Sequence, residues 1–339
     1  MDSAIDLAKL PPLEGWLPIH VDWDQTPAAV DWCHVGKRRL LEPFFEQTVE
    51  KCLRDPFNLL FRHQSALEVL TQWQRLRPGL PPNGFIFHMS RCGSTLLAQM
   101  LATLPKNIVI SEAPPIDSML RPKSRGVTEE QQVAWLRGLL SALGQRRNEE
   151  EKYFFVKFDS WHTHNLTLIQ RAFPKVPWIF LYRDPREVLM SQLQHPGLHM
   201  VPGLVESRPP ETSFSTNAPV PAEERCVQVL ASICTAAIDQ LRTGSGRAVN
   251  YTELPDSIWT WLREYFQLDY SVAEISRMRD VAQFDAKTPS LFFKADSERK
   301  RNQLTALGRE MSARWLEPVY AELEVLRGGQ ERIQAKTAS

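Results

Sequence analysis

The chain of 339 residues has no run approaching the roughly 18 uncharged apolar residues that a membrane-spanning helix needs. Its first residues, MDSAIDLAKLPPLEGW, lack the basic stretch followed by an apolar run that marks a secretory signal. Neither sign of charge is in excess, with Lys+Arg and Asp+Glu at 40 each. No bulk attraction to nucleic acid or to an anionic membrane follows, although a local basic pocket for a small anion stays open. Cysteine is scarce: five residues, at 33, 52, 92, 226 and 234, with no C-x-x-C among them. That odd, scattered set gives neither a disulfide framework nor zinc-site spacing. Internal repeats and low-complexity tracts are absent too. The expectation is a cytoplasmic protein with no nucleic-acid partner and no membrane partner.

What is present suits a globular chain. Hydrophobic residues make up 43% and charged residues 24%, enough apolar material for one large domain or two modest ones. Residues 1–82 differ from the rest. They hold Trp16, Trp23, Trp32 and Trp73, and segments 36–54 and 64–76 show helical spacing of apolar residues, as in Ala66, Val69, Leu70 and Trp73. Pro78, Pro81 and Pro82 close the segment with a turn-rich joint. The reading is a mostly helical N-terminal extension over 1–82. His20, Asp22 and Asp24 alternate along one strand-like face, and a metal site there is discounted.

From residue 83 onward, short apolar runs alternate with helical stretches. Strands are expected at 84–88, 108–111, 153–158, 178–182 and 247–251. Helices are expected at 94–104, 129–143, 185–194, 221–242 and 298–326. This alternation predicts an α/β fold with a central parallel sheet over 83–327, followed by a flexible tail over 328–339. Segment 148–152 is a charge run read as a solvated loop. Segment 202–222 is proline-rich without periodicity, and a loop of that length is usually functional or disordered.

The most informative segment is 84–97, GFIFHMSRCGSTLL. An apolar strand leads into a short polar turn with Gly93 and then into a helix. Backbone N–H groups at such a turn, backed by a helix N-terminus, make an anion cradle. Arg91 adds a fixed positive charge, and Ser94 and Thr95 add hydroxyl donors. The pattern G-x-x-x-x-G-K-[ST] is not met: His88 stands at the first Gly, Ser94 stands at the Lys, and the cation has moved to Arg91. The alternative is an ordinary strand–turn–helix whose Ser and Thr merely cap the helix.

A second segment, 180–191, reads FLYRDPREVLMS. Asp184, Pro185 and Glu187 make a helix start, with Asp at the cap, Pro at the first helical position and Glu three residues after the cap. Arg183 falls at the carboxyl edge of the sheet, where α/β folds bind ligands. Ser191 lies two turns further on. The alternative for Arg183 is a surface salt bridge.

Together these segments resemble the sulfotransferases that use 3′-phosphoadenosine 5′-phosphosulfate (PAPS). The resemblance covers roughly residues 83–325 and implies a P-loop NTPase-like three-layer fold. It implies that Arg91, Cys92, Gly93, Ser94 and Thr95 cradle the 5′-phosphosulfate, with Arg91 stabilising the leaving phosphate. Cys92 departs from the usual Ser. Arg183 and Ser191 would hold the 3′-phosphate. Arg91 in place of Lys looks closer to the bacterial and tyrosylprotein-like branches than to the cytosolic phenol and steroid branch.

Less specific matches are Tyr251, near the adenine, and the basic segment 293–301, whose Lys300 and Arg301 would close over the 3′-phosphate. The resemblance makes Glu112 the base for the acceptor. Its apolar neighbours Ile110, Pro114, Pro115 and Ile116 suggest a raised pKa; the alternative is a helix-capping or salt-bridged Glu. Lys157-Phe-Asp159 stands where the cytosolic branch has Lys-x-His, so Lys157 is left to assist the leaving group or the sulfuryl oxygens. His162 and His164 are rival bases, the start of a metal pair lacking a third ligand, or ordinary helix-start or surface histidines; no metal is expected. The acceptor is expected to be a small molecule or a carrier-bound group, with residues 1–82 and 202–222 covering its site. The competing readings are a P-loop kinase or phosphotransferase using ATP, and a non-catalytic nucleotide-binding protein.

Overall fold

The computed structural model describes residues 12–122, 126–201, 221–288, 290–292, 300 and 302–337, with side chains up to 330. The N-terminal segment forms a three-stranded antiparallel sheet, β1 (Trp16–Asp22), β2 (Ala29–His34) and β3 (His63–Ala66), in the order β1-β2-β3. Helices Phe45–Leu53, Pro56–Leu60 and Glu68–Leu76 complete it. The mostly helical extension is therefore corrected to a mixed unit. Pro18 interrupts β1, and the register with β2 shifts between Pro18 and His20. In segment 36–54 the helix begins only at Phe45, after Pro43, because a proline disfavours helical conformation in the residue before it. At 63–66 pairing with β2 overrides the helical periodicity.

The central sheet contains β4 (Gly84–His88), β5 (Asn107–Ser111), β6 (Tyr153–Lys157), β7 (Trp178–Tyr182) and β8 (Arg247–Asn250). Its order is β5-β6-β4-β7-β8, and all four pairings are parallel. Every residue of β4, β5 and β7 is buried, as expected of strands covered on both faces by helices. The expected α/β architecture is what the chain adopts. After β4 the chain builds one side of the sheet, then crosses back to place β7 on the other. Such a reversal opens a crevice at the carboxyl ends of the strands.

Two boundaries differ from expectation. The single helix expected over 298–326 is divided: Ala306–Met311 and Glu317–Thr337 flank a π-helical turn at Ser312–Leu316. Helix Glu317–Thr337 also runs through most of the stretch expected to be a tail. Segments 202–220 and 293–299 and Arg301 lie outside the described residues. The N-terminal unit is not separate from the rest. Its buried residues belong to one continuous core with the central sheet. Trp23 Nε1 donates to Ser118 O at 2.7 Å, and the Trp23 and Trp135 rings lie 6.0 Å apart.

Candidate functional site

The candidate site residues Glu112, Lys157, Arg183 and Tyr251 stand at or just after the ends of β5, β6, β7 and β8, β4 runs into the turn that carries Arg91, and parallel pairing brings these ends to one edge. There they line a cavity of about 710 Å³. Arg91, Cys92, Gly93, Ser94, Thr95, Glu112, Ser191, Tyr251 and Lys300 all face it. Lys157 and Arg183 stand directly behind that wall, contacting Glu112 and Tyr251 respectively.

The turn after β4 is shaped by left-handed backbone at Ser90 (φ 75°), Arg91 (φ 53°) and Gly93 (φ 87°). Non-glycine residues rarely adopt that conformation, and each costs of order 1–3 kcal/mol unless its surroundings hold it. Here they do. Ser90 N–H donates to His88 Nδ1 at 3.0 Å, and Gln192 Nε2 donates to Ser90 Oγ at 2.8 Å. Arg91 Nη2 donates to His195 O at 2.9 Å. Helix Ser94–Ala102 follows at once, so its first N–H groups, which have no intrahelical partner, stand at the cavity wall.

Gly93 is required twice, by its φ and by the Tyr251 ring. A Cβ there would lie 2.7 Å from Tyr251 Cδ2. Cys92 Sγ donates to Leu181 O at 3.2 Å, so its side chain is engaged in the core and burial pushes the thiol up to about 12. Only its backbone remains for a ligand.

At the second segment, Arg183 Nε donates to Glu187 Oε2 at 2.6 Å, and its guanidinium carbon lies 4.1 Å from the Tyr251 ring centroid. The two partners fix the fork behind Tyr251. Asp184 accepts from Arg186 N–H at 2.9 Å, which caps helix Pro185–Gln194 and carries Ser191 to the cavity.

The carboxylate of Glu112 is not in the apolar setting its sequence neighbours suggest. Its Oε1 accepts from Lys157 Nζ and lies 3.4 Å from His88 Nε2. Because His88 Nδ1 accepts from Ser90, the proton sits on Nε2, which also donates to Phe158 O at 3.0 Å. Burial pushes the Glu112 carboxyl up, but the Lys157 charge and the His88 hydrogen bond outweigh it and hold the group well below the ordinary carboxylate range. The raised pKa expected for Glu112 is thus reversed. The upward shift falls instead on Asp159, through burial and then the negative charge of Glu112.

His162 is fully buried and taken by Asp117, with Nε2 2.9 Å from Asp117 Oδ1. Burial lowers its pKa to about 3. Neither His162 nor His164 lines the cavity, so neither is placed to take an acceptor proton there. Among the described residues no three His, Cys, Asp or Glu side chains converge as a metal site. No helix among them is long and apolar enough to cross a membrane.

Several cavity residues escaped the sequence reading. His88 was visible only as a departure from a glycine pattern. Phe44 reaches the cavity from the N-terminal unit, His199 from the loop after helix Pro185–Gln194, and Lys287 from the segment after helix Val272–Val281. No motif marks these three. Arg91 Nε and His199 Nδ1 are buried without a hydrogen-bond partner among the described residues. Orphaned polar atoms in a cavity wall ask for a ligand.

No family profile matches the chain, and no curated protein matches it either. Solved structures similar to it include the sulfotransferase STF9 from Mycobacterium avium, at 13% identity and a TM-score of 0.44, covering 74% of this chain and 81% of that one. The sulfotransferase domain of the Synechococcus PCC 7002 olefin synthase is similar at 17% identity and a TM-score of 0.43, covering 73% and 95%. Mouse sulfotransferase SULT7A1, solved with PAP, is similar at 10% identity and a TM-score of 0.43, covering 78% and 93%. Likeness this distant carries no functional inference.

Proposed function

We propose that the protein is a PAPS-dependent sulfotransferase that transfers a sulfuryl group to a hydroxyl or amine of a small or carrier-bound acceptor. The observation that supports this most is the convergence of two anion sites on one cavity, with the Tyr251 ring beside both. The turn over 90–95 with the helix start behind it is one, and Arg183 with Ser191 is the other. A nucleotide carrying phosphates at both ends needs that pair. The donor set fits it: backbone N–H groups, the hydroxyls of Ser94 and Thr95, and an Arg91 guanidinium with an unpaired buried Nε. A cavity of about 710 Å³ lies within the usual size for such ligands.

In this reading the turn and Arg91 hold the 5′-phosphosulfate, and Arg183, Ser191 and Lys300 hold the 3′-phosphate. Tyr251 lies against the nucleotide. The donor, when bound, supplies an activated sulfuryl group. Arg91 and Lys157 then stabilise the charge that develops on the departing phosphate oxygen. Glu112 is the base: it is ionised at neutral pH, and Oε2 accepts no hydrogen bond among the described residues. The branch closer to the bacterial and tyrosylprotein-like enzymes, and a cytoplasmic setting, belong to the same proposal.

A thermal-shift titration with PAP, with ATP–Mg²⁺ and ADP in parallel, tests it. A ligand that binds only the folded state adds about 2.7 kcal/mol at 100-fold saturation. The expected result is a selective shift with PAP that Arg183→Ala removes. A shift with ATP–Mg²⁺ alone would sink the proposal in favour of a kinase, and no shift at all would leave a protein without a nucleotide site.

A further inference from the structure

Among the described residues, Lys287 is the one cavity cation to which neither anion site assigns a task. It lines the cavity but comes from neither sequence motif. Its Nζ lies 5.8 Å from the Phe44 ring centroid, and Lys157 Nζ lies 5.1 Å from the same centroid. Two ammonium groups thus gather on one aromatic ring, an arrangement the ring quadrupole favours and their mutual repulsion opposes. The largest charges acting on Lys287 are those of Arg91, Glu112, Lys157 and Asp285. Lys157 Nζ also lies 3.4 Å from Thr95 Oγ1, so the shared Phe44 ring places Lys287 at the end of the cavity where the 5′-group would lie. The surrounding protein and the Arg91 charge lower its pKa to about 8, while its side chain stays open to solvent, so it is still largely protonated at neutral pH. Arg91 and Lys287 face the cavity beside the buried Lys157 ammonium, and Arg91 Nε has no hydrogen-bond partner among the described residues, so this end of the cavity suits an anion.

We propose that Lys287, held with Lys157 against Phe44, is a catalytic residue that grips the oxygens of the transferred sulfuryl group rather than the nucleotide. This rests on the PAPS reading above. In the transfer to a hydroxyl, the bond between sulfur and the bridging phosphate oxygen breaks, and its electron pair stays with PAP. The acceptor oxygen forms the new bond to sulfur and loses its proton to Glu112. The sulfuryl group is present in PAPS and missing from PAP, so a residue that holds it discriminates between the two.

Titration calorimetry of PAPS and PAP, without acceptor, against wild type, Lys287→Met and Lys287→Arg tests the assignment. Lys287→Met should weaken PAPS about tenfold, the size of a lost charge-assisted hydrogen bond, and change PAP less than about twofold. Lys287→Arg should restore most of the preference. Equal loss of both ligands in Lys287→Met would assign the residue to the nucleotide and overturn the proposal. Unchanged affinities would overturn it too, and would point to an anionic group on the acceptor. If wild type binds neither ligand, it is the PAPS reading that has failed, and the role of Lys287 falls with it.

Discussion

A carboxylate shared by an ammonium and an imidazole N–H is a different chemical object from one set in an apolar pocket. Lys157 is wholly buried, and its Nζ also lies 3.4 Å from Thr95 Oγ1 and 3.5 Å from Ser111 Oγ. The pair thereby ties the cavity floor to the first helical turn of the phosphate loop. Removing one partner of such a pair leaves an uncompensated charge and costs about 3–5 kcal/mol, whereas removing both costs far less. Lys157→Met should therefore be destabilised by about that amount in urea denaturation, and the double variant Lys157→Met/Glu112→Gln should recover much of it. Additive single effects would show that the pair does not act as a unit. Both residues were legible in the sequence as candidates, but their pairing was not. It depends on β5 lying beside β6 with Ser111 opposite Lys157, a register set by tertiary structure. The inverted pKa order of Glu112 and Asp159 follows from that pairing and was equally invisible.

At the scale of elements, legibility tracked burial. The strands Gly84–His88 and Trp178–Tyr182 and the helices Glu129–Leu143 and Pro185–Gln194 fall where the sequence places them. Their apolar runs and caps are local signals. The N-terminal strands were missed because Pro18 breaks the alternation of one, and the other two draw their stability from cross-strand pairing. The packing of this unit has a specific weak point. Helix Glu68–Leu76 lies so close to helix Glu129–Leu143 that a Cβ at Gly138 would come 2.7 Å from the backbone carbon of Leu70. Gly138→Val should force the two helices apart and cost about 1–3 kcal/mol, as overpacking does elsewhere. A melting temperature equal to wild type would show that this contact is not tight. The shared core also changes what deletion of residues 1–82 would mean. Deletion would strip apolar cover from helices Pro114–Leu120 and Glu129–Leu143, which share one core with the central sheet, so loss of folding is the expected outcome rather than selective loss of acceptor binding.

For the molecule as a whole, balanced charge makes the response to pH a matter of buried groups. With Lys+Arg and Asp+Glu at 40 each, there is no large net repulsion near neutrality to vary. His88, His162 and His199 are all buried, and burial lowers each below the ordinary value of 6.5, to about 3 for His162 and about 4 for His199. Between 6.5 and those values the unfolded chain binds protons that the folded chain refuses. Stability must therefore fall as pH drops, by up to about 1.4 kcal/mol per pH unit per group. Glu112, held low by Lys157, loses its contribution in the same direction below its ordinary value of 4.5. Asp159 works the other way, because its raised pKa means that the folded chain takes up a proton first. Three histidines and one glutamate outweigh one aspartate, so the net effect is acid lability beginning near pH 6.5. Urea midpoints should fall slightly from pH 8 to 7, where Lys287 completes its protonation in the fold, and steadily from 6.5 to 4. His162→Gln gives up an imidazole that must stay neutral but keeps an N–H donor for Asp117. It should be less stable than wild type at pH 7 and lose less on acidification, so the two curves converge. Parallel curves would mean that His162 is already protonated in the fold and that its burial does not set the acid limit.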